Sequence, residues 1–225
     1  MNNKVKIYVV GSKADNFYNI DASREKWYWD DVHDGTNNDA DNPQLSEGTC
    51  LYWMLYHATD DIVGLEHYRR YFSENEKPIT EIRINEILSQ YDVILHNSGD
   101  VGLPMLLAST SCNRCGGNMI HAAEAVYRCF QKYWPNRVGD FAKQYMSRTH
   151  WQGNMFIAKR TIMTDFCNWL FDFLYSKLPP FMPKIIPPRT LGYMVELFLF
   201  PYWMDNNGLK IYNCDRVELP TGKYK

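Results

Sequence analysis

The stretch "DDIVGLEHYRRYFSENEKP", residues 60–78, decides how this chain is read. Asp61-Ile62-Val63-Gly64-Leu65 predicts a covered strand, because β-branched side chains suit a pleated, buried surface and polar residues flank the run. Glu66, His67, Arg69 and Arg70 follow at once. Burying such groups is costly unless each has a partner, which a salt bridge or a ligand can supply. If the strand continues through Glu66, its two-residue period puts Glu66 and Tyr68 on one face and His67 and Arg69 on the other.

The segments around this stretch alternate in type. "KVKIYVVGSK" is an apolar strand closed by Gly11, and it lacks the glycine spacing of a dinucleotide fingerprint. "EGTCLYWMLYHA", "ITEIRINEILSQY" and "TIMTDFCNWLFDFLYSKL" carry apolar residues at helical spacing, and "TLGYMVELFLFPYW" reads as a helix ended near Pro201. Residues 15–46 read as a long polar loop or short irregular elements, with an aromatic island, "KWYWDDV". Strands near 5–10, 61–66, 91–96, 153–158 and 209–213, separated mostly by helices, predict one α/β domain over residues 1–225. Its expected form is a Rossmann-like sandwich with a mostly parallel central sheet and helices on both faces. Sites in such sheets lie at the carboxyl ends of strands, which gathers Gly11–Lys13, Glu66–Arg70, His96–Asn97 and the neighbourhood of Asn154.

Composition narrows the function. A formal net charge of -2 over 225 residues argues against a broad nucleic-acid surface but leaves room for a local anion site. The N-terminus has no signal-peptide pattern, and the most apolar later window, Leu191 to Trp203, is too short to span a bilayer, so membrane association is expected to be peripheral at most. Aromatic residues make up 15% of the chain, which suits both a dense core and stacking on sugars or bases. Six cysteines do not make a disulfide scaffold in a chain this long. The Cys112/Cys115 C-x-x-C pair fits free structural thiols, a soft-metal site or redox chemistry.

Several residues have the chemistry of a site. Arg69 and Arg70 can grip a diphosphate bidentately, with His67 adding a hydrogen bond; a Glu–Arg network pinning the strand end is the other reading. "NNDADN" contains Asp39 and Asp41 at a spacing that can hold a divalent cation, yet no apolar strand precedes them, and a solvated turn also fits. Asn37 and Asn42 can recognise a base or a sugar hydroxyl through neutral amides. "HWQGNMFIAKR" sets His150, Trp151, Gln152 and Asn154 before a strand, a set suited to carbohydrate. Glu196 lies on a strongly apolar helix, where a carboxylate needs either a partner such as Arg189 or a substrate hydroxyl to deprotonate.

"KIYVVGSK", Asn42-Pro43, "EGTCLYW", "DIVGLEHYRRYF", "YDVIL", "GNMFIAK" and "RTLGYMVE" occur in order over about residues 5 to 200. Together they resemble the DUF4422-like domain of bacterial capsular and exopolysaccharide glycosyltransferases. The resemblance implies a GT-A-like enzyme that moves a sugar from a nucleotide-diphospho-sugar, a UDP-sugar first, to a glycan or lipid-linked saccharide in surface polysaccharide synthesis. It implies a cytoplasmic place, at or near the inner face of the membrane, and Mn2+ or Mg2+ as candidate cofactors. It carries over to Gly11, Lys13, Asn42, Glu47, Thr49, Leu51, Tyr52, Trp53, Gly64, His67, Tyr68, Arg69, Arg70, Asn154, Met155, Phe156, Arg189, Gly192 and Glu196. Ser12 stands where the pattern has a histidine, and "NNDADN" lacks the pattern's lysine. In an enzyme of this kind Arg69 and Arg70 stabilise the leaving group, and Glu196 is the candidate base, with Glu66 the alternative. The competing readings are a non-catalytic carbohydrate- or nucleotide-binding homologue and a metal hydrolase built on Asp39, Asp41 and His67.

Overall fold

The structure is a computed structural model that describes residues 3–100, 119–147, 149–151 and 153–220. Cys112, Cys115, Gln152 and the side chain of His150 lie outside what is described.

The strands are β1 (Val5–Gly11), β2 (Arg24–Tyr28), β3 (Ile62–His67), β4 (Arg70–Glu74), β5 (Lys77–Pro78), β6 (Val93–Leu95), β7 (Asn97–Asp100), β8 (Thr149–Trp151), β9 (Phe156–Lys159), β10 (Ile211–Asn213) and β11 (Asp215–Glu218). The helices are α1 (Asn42–Leu45), α2 (Gly48–His57), α3 (Glu81–Leu88), α4 (Met119–Tyr133), α5 (Val138–Tyr145), α6 (Arg160–Asp172), α7 (Thr190–Met194) and α8 (Phe200–Asn206). The main sheet runs β10-β6-β9-β3-β1-β2. β1 pairs in parallel with β2 and β3, and β10 with β6, whereas β9 is antiparallel to both β3 and β6. The expected sandwich is present, with β9 reversed along this path and β4, β5 and β11 extending the sheet through antiparallel pairs.

That reversal positions the site. Val10 pairs with His67 where β1 and β3 end, and Leu65 pairs with Phe156 where β9 begins. Gly153 and Asn154, just ahead of β9, therefore reach the same rim as the ends of β1 and β3. They form a turn with φ of 82° and 54°, left-handed values that glycine and asparagine tolerate best.

Side-chain alternation splits the core. Tyr8, Val10, Val63, Leu65, Val93, Leu95, Phe156 and Ala158 face the larger cluster under α2, α4, α6 and α8. Ile7, Ile62, Ile94 and Ile157 face a smaller one, where Ile84, Ile87 and Leu88 of α3 cover the sheet. All six residues of β3 are buried, as a strand covered on both faces should be. Glu66 therefore points to the smaller-helix side and His67 to the opposite one.

Three sequence expectations are corrected. β3 stops at His67, and Tyr68-Arg69 form the two-residue link to antiparallel β4, with His67 opposite Arg70. The expected loop 15–46 contains β2, whose charged "REKWY" hides the strand pattern. The helix does not end near Pro201: a π-helical turn over Val195–Leu199 carries it into α8. Proline lacks an N–H and crowds the preceding turn, and a wider turn ahead of it relieves both problems. Among the described residues no helix is long and apolar enough to cross a membrane.

Candidate functional site

A cavity of about 810 Å³ opens where β1 and β3 end. β1 and the residues after it supply Gly11, Ser12 and Asp15; β3 and its link to β4 supply His67, Tyr68, Arg69 and Arg70. Asn42, Ser46 and Glu47 form a second wall, and Arg189, Tyr193 and Glu196 a third. Trp29, 44% exposed, stands at the mouth.

The two helical walls meet because Gly192 has no side chain. A Cβ there would lie 2.9 Å from the Leu45 carbonyl oxygen. At the same contact the Arg189 N–H donates to the Pro43 carbonyl (2.7 Å), and Arg189 Nε donates to Ser46 Oγ (3.0 Å). The Arg189 guanidinium lies 5.4 Å from the centre of the Tyr193 ring. Arg189 is itself left-handed, at φ 64°, a strained backbone of the kind that concentrates at functional sites.

The backbone of one residue, Gly153, organises the floor through both of its polar groups. The Gly153 N–H donates to Glu196 Oε1 (3.0 Å), and the Gly153 carbonyl accepts from His67 Nε2 (2.6 Å). A carbonyl can only accept, so Nε2 carries the hydrogen and Nδ1 faces Glu47 Oε1 at 3.5 Å. Burial pushes the His67 imidazole down, Glu47 and the Gly153 bond oppose this, and Arg70 and Arg216 add to it; the net direction is down. Burial and the Glu47 charge push the Glu196 carboxyl up, more strongly than Arg70, the Gly153 bond and Arg189 pull it down. The site thus holds a carboxyl that takes up a proton more readily than an ordinary one.

Cations gather beside this floor: a Cβ on Gly153 would lie 3.9 Å from Arg70 Nη1. Arg69 and Arg70 each place an Nη2 near Glu218 Oε1, at 3.5 and 3.0 Å, and Arg216 places one 3.4 Å from Glu218 Oε2. Three guanidiniums thus share one carboxylate. Arg70 Nε and Arg216 Nη1 are buried with no hydrogen-bond partner among the described residues.

The cavity brings together Gly11, Asn42, His67, Arg69, Arg70, Arg189 and Glu196 of the expected set. Others lie elsewhere. Glu66 is fully buried on the far face and accepts from Arg24 Nε (2.9 Å) and Nη2 (3.4 Å), from the Phe72 N–H (2.9 Å) and from the Tyr18 hydroxyl. Its oxygens are committed to protein donors, so it is a structural group and not the alternative base. Lys13 pairs with Asp31 away from the cavity, Asn37 donates to the His33 and Gly35 carbonyls, and Trp151 donates to Asp205. Asn154 is buried and serves the left-handed turn.

Asp39 holds the His33 N–H and imidazole, while Asp41 accepts from the Tyr175 hydroxyl. These two carboxylates do not converge on the cavity, and among the described residues no group of three His, Cys, Asp or Glu could hold a metal ion. Among the described residues, Asp39 and Asp41 therefore do not build the expected divalent-cation site at the cavity. Arg216 and Glu218 were not singled out from the sequence. They sit in β11, within the tail "LKIYNCDRVEL" that reads as one late strand; the structure divides it into β10 and β11. Glu47 entered through the resemblance alone, since its carboxylate sits just ahead of α2 in a segment read for its apolar spacing.

The chain matches the model of one family, a domain of unknown function termed DUF4422, over residues 3–208. No curated protein matches it. Among solved structures it is similar to the bifunctional glycosyltransferase WbbM in its apo form, with a TM-score of 0.73 and 20% identity. The similarity covers 97% of this chain but 46% of that one, so this chain spans under half of that protein's length. The shared fold is the GT-A-like α/β sandwich.

Proposed function

The chain belongs to the DUF4422 family, and we propose that it is a glycosyltransferase acting on a nucleoside-diphosphate sugar, UDP-linked in the first instance. The acceptor is a hydroxyl of a glycan or lipid-linked saccharide, in surface polysaccharide synthesis. The observation that carries this reading is the cavity at the ends of β1 and β3, with Arg69, Arg70 and Arg189 on its walls and Glu196, its carboxyl pushed up by burial, on its floor.

In the transfer, the bond between the anomeric carbon and the diphosphate oxygen breaks, and the electron pair leaves with the nucleoside diphosphate. Arg69 and Arg70 meet the charge that develops there, as preorganised cations do in a partly closed site. The acceptor oxygen bonds to the anomeric carbon and gives up its proton. Glu196 receives it, and its raised pKa brings it toward the range where a general base works best. His67, backed by Glu47, holds the Gly153 carbonyl, and the N–H of the same residue orients Glu196. With Asp39 and Asp41 engaged elsewhere, charge neutralisation falls to the arginines.

Calorimetric titration with UDP, GDP, CDP and uridine tests the reading. One diphosphate, UDP first, should bind at least about tenfold more tightly than its nucleoside, the worth of one charge-assisted contact. Arg69→Lys and Arg70→Lys keep the charge but lose the planar fork, and each should cost roughly 2–4 kcal/mol in turnover, about 30- to 1000-fold. Equal affinity for UDP and uridine, or full turnover by both variants, overturns it.

A further inference from the structure

We propose that Glu218, on β11, is an internal counter-ion that occupies the diphosphate's place on Arg69 and Arg70 and must be displaced when the nucleotide binds, leaving Arg216 as a third cation of the phosphate site. This rests on the proposed function above and extends it beyond the family match, which ends at residue 208.

β11 pairs with β4 in antiparallel register, with Glu218 opposite Arg70 and Arg216 opposite Phe72. The strand carries one carboxylate and one guanidinium to the edge of the cavity. Glu218 contacts the two arginines that line the cavity and also the arginine of its own strand. A strut needs one cation per carboxylate, whereas here three share one, and two of them keep buried nitrogens without partners among the described residues. Unsatisfied guanidinium donors are expensive to bury, and a diphosphate offers more acceptor oxygens than a carboxylate in the same fork geometry. Glu218 is also the most exposed member of the cluster, with a side chain 39% accessible, so it can swing into water when an anion arrives. Burial pushes its carboxyl up, but the Arg70 hydrogen bond and the charges of Arg70, Arg216 and Arg69 outweigh this and hold it below the usual range, as an engaged counter-ion should be.

The test is calorimetric titration of UDP, inorganic pyrophosphate and uridine into the wild type, Glu218→Gln and Arg216→Gln, with a melting curve for each. Removing the competing charge should tighten UDP and pyrophosphate binding by about tenfold and leave uridine unchanged. Arg216→Gln should weaken both phosphate ligands by a similar factor. A Glu218→Gln variant that stays folded and binds the wild-type amount or less makes Glu218 a strut and overturns the inference. If that variant fails to fold, the Arg216→Gln arm decides, and unchanged pyrophosphate affinity overturns it. Wild-type binding of UDP with either negative result leaves the proposed function standing. Absence of binding by wild type and Glu218→Gln alike removes both.

Discussion

Glu66→Gln isolates structure from chemistry in the Glu-His-Tyr-Arg-Arg stretch. The substitution preserves shape and leaves an oxygen for the Phe72 N–H, but it turns an amide NH2 toward the Tyr18 hydroxyl and Arg24 Nε and strips Arg24 of its buried counter-charge. Both side chains of the pair are fully buried, and only Asp21, 3.0 Å from Arg24 Nη1 and half exposed, remains to balance the guanidinium. Breaking a buried pair in this way costs about 3–5 kcal/mol. At roughly 2–4 °C per kcal/mol for a chain of this size, the melting temperature should fall by about 6–20 °C. The partial help from Asp21 places the result toward the lower end. Circular dichroism melts give the stability change, and UDP titration of the folded variant gives the functional one. Affinity should be unchanged, because His67 and the cavity lie across the sheet. A Glu66→Gln protein that melts within about 2 °C of the wild type but has lost transfer would refute the structural assignment. Replacing both partners with apolar residues, Arg24→Met with Glu66→Leu, should recover part of the loss.

Glu196→Gln should abolish most transfer, by about 100-fold or more. It should also change the pH dependence of stability. The Glu196 carboxyl is held above its unfolded value, so the folded protein binds this proton more tightly than the unfolded chain does. The resulting stabilisation is fully present below the unfolded pKa, about 4.3, and is lost as pH rises through the higher folded value. The variant, uncharged at every pH, should therefore melt above the wild type at pH 8, with the gap closing toward pH 4; a gap that is constant with pH would contradict the raised pKa. Gly192→Ala sets a Cβ against the Leu45 carbonyl, and overpacking of about 1–3 kcal/mol should exceed the helix-propensity gain of up to about 1 kcal/mol. The melting temperature should drop by a few degrees and UDP affinity should fall with it, since Arg189 and Ser46 sit on the same contact; wild-type values for both would show that the helices yield freely.

The sheet was legible where strands are apolar and continuous. β1, β3, β6, β9 and β10 lie within about three residues of the stretches read as strands. Edge and charged strands were not: β2 buries Arg24 only because Glu66, distant in sequence, receives it, and no local pattern encodes a partner 42 residues away. The direction of β9 was hidden for a related reason, since strand polarity depends on the path of the connecting chain. At the site, residue type pointed to Arg69, Arg70 and Glu196, which line the cavity, whereas face assignment separated Glu66 from His67. The short strand β11 and its Glu218 depend on a pairing with β4 across 148 residues, and no local pattern reports that.

The π-helical turn at Val195–Leu199 bears on how such a site arises and is lost. It holds one residue more than a regular turn needs, and Glu196 is inside it. Deleting a single residue there would tighten the turn and rotate Glu196 by about 100° relative to Phe200, Trp203 and the rest of α8, which are anchored in the core. Every side chain named in the chemistry would still be encoded, yet the carboxyl would no longer meet the Gly153 N–H. An insertion or deletion of one codon in this helix can thus move a lineage between an aimed and an unaimed base without replacing a single functional residue.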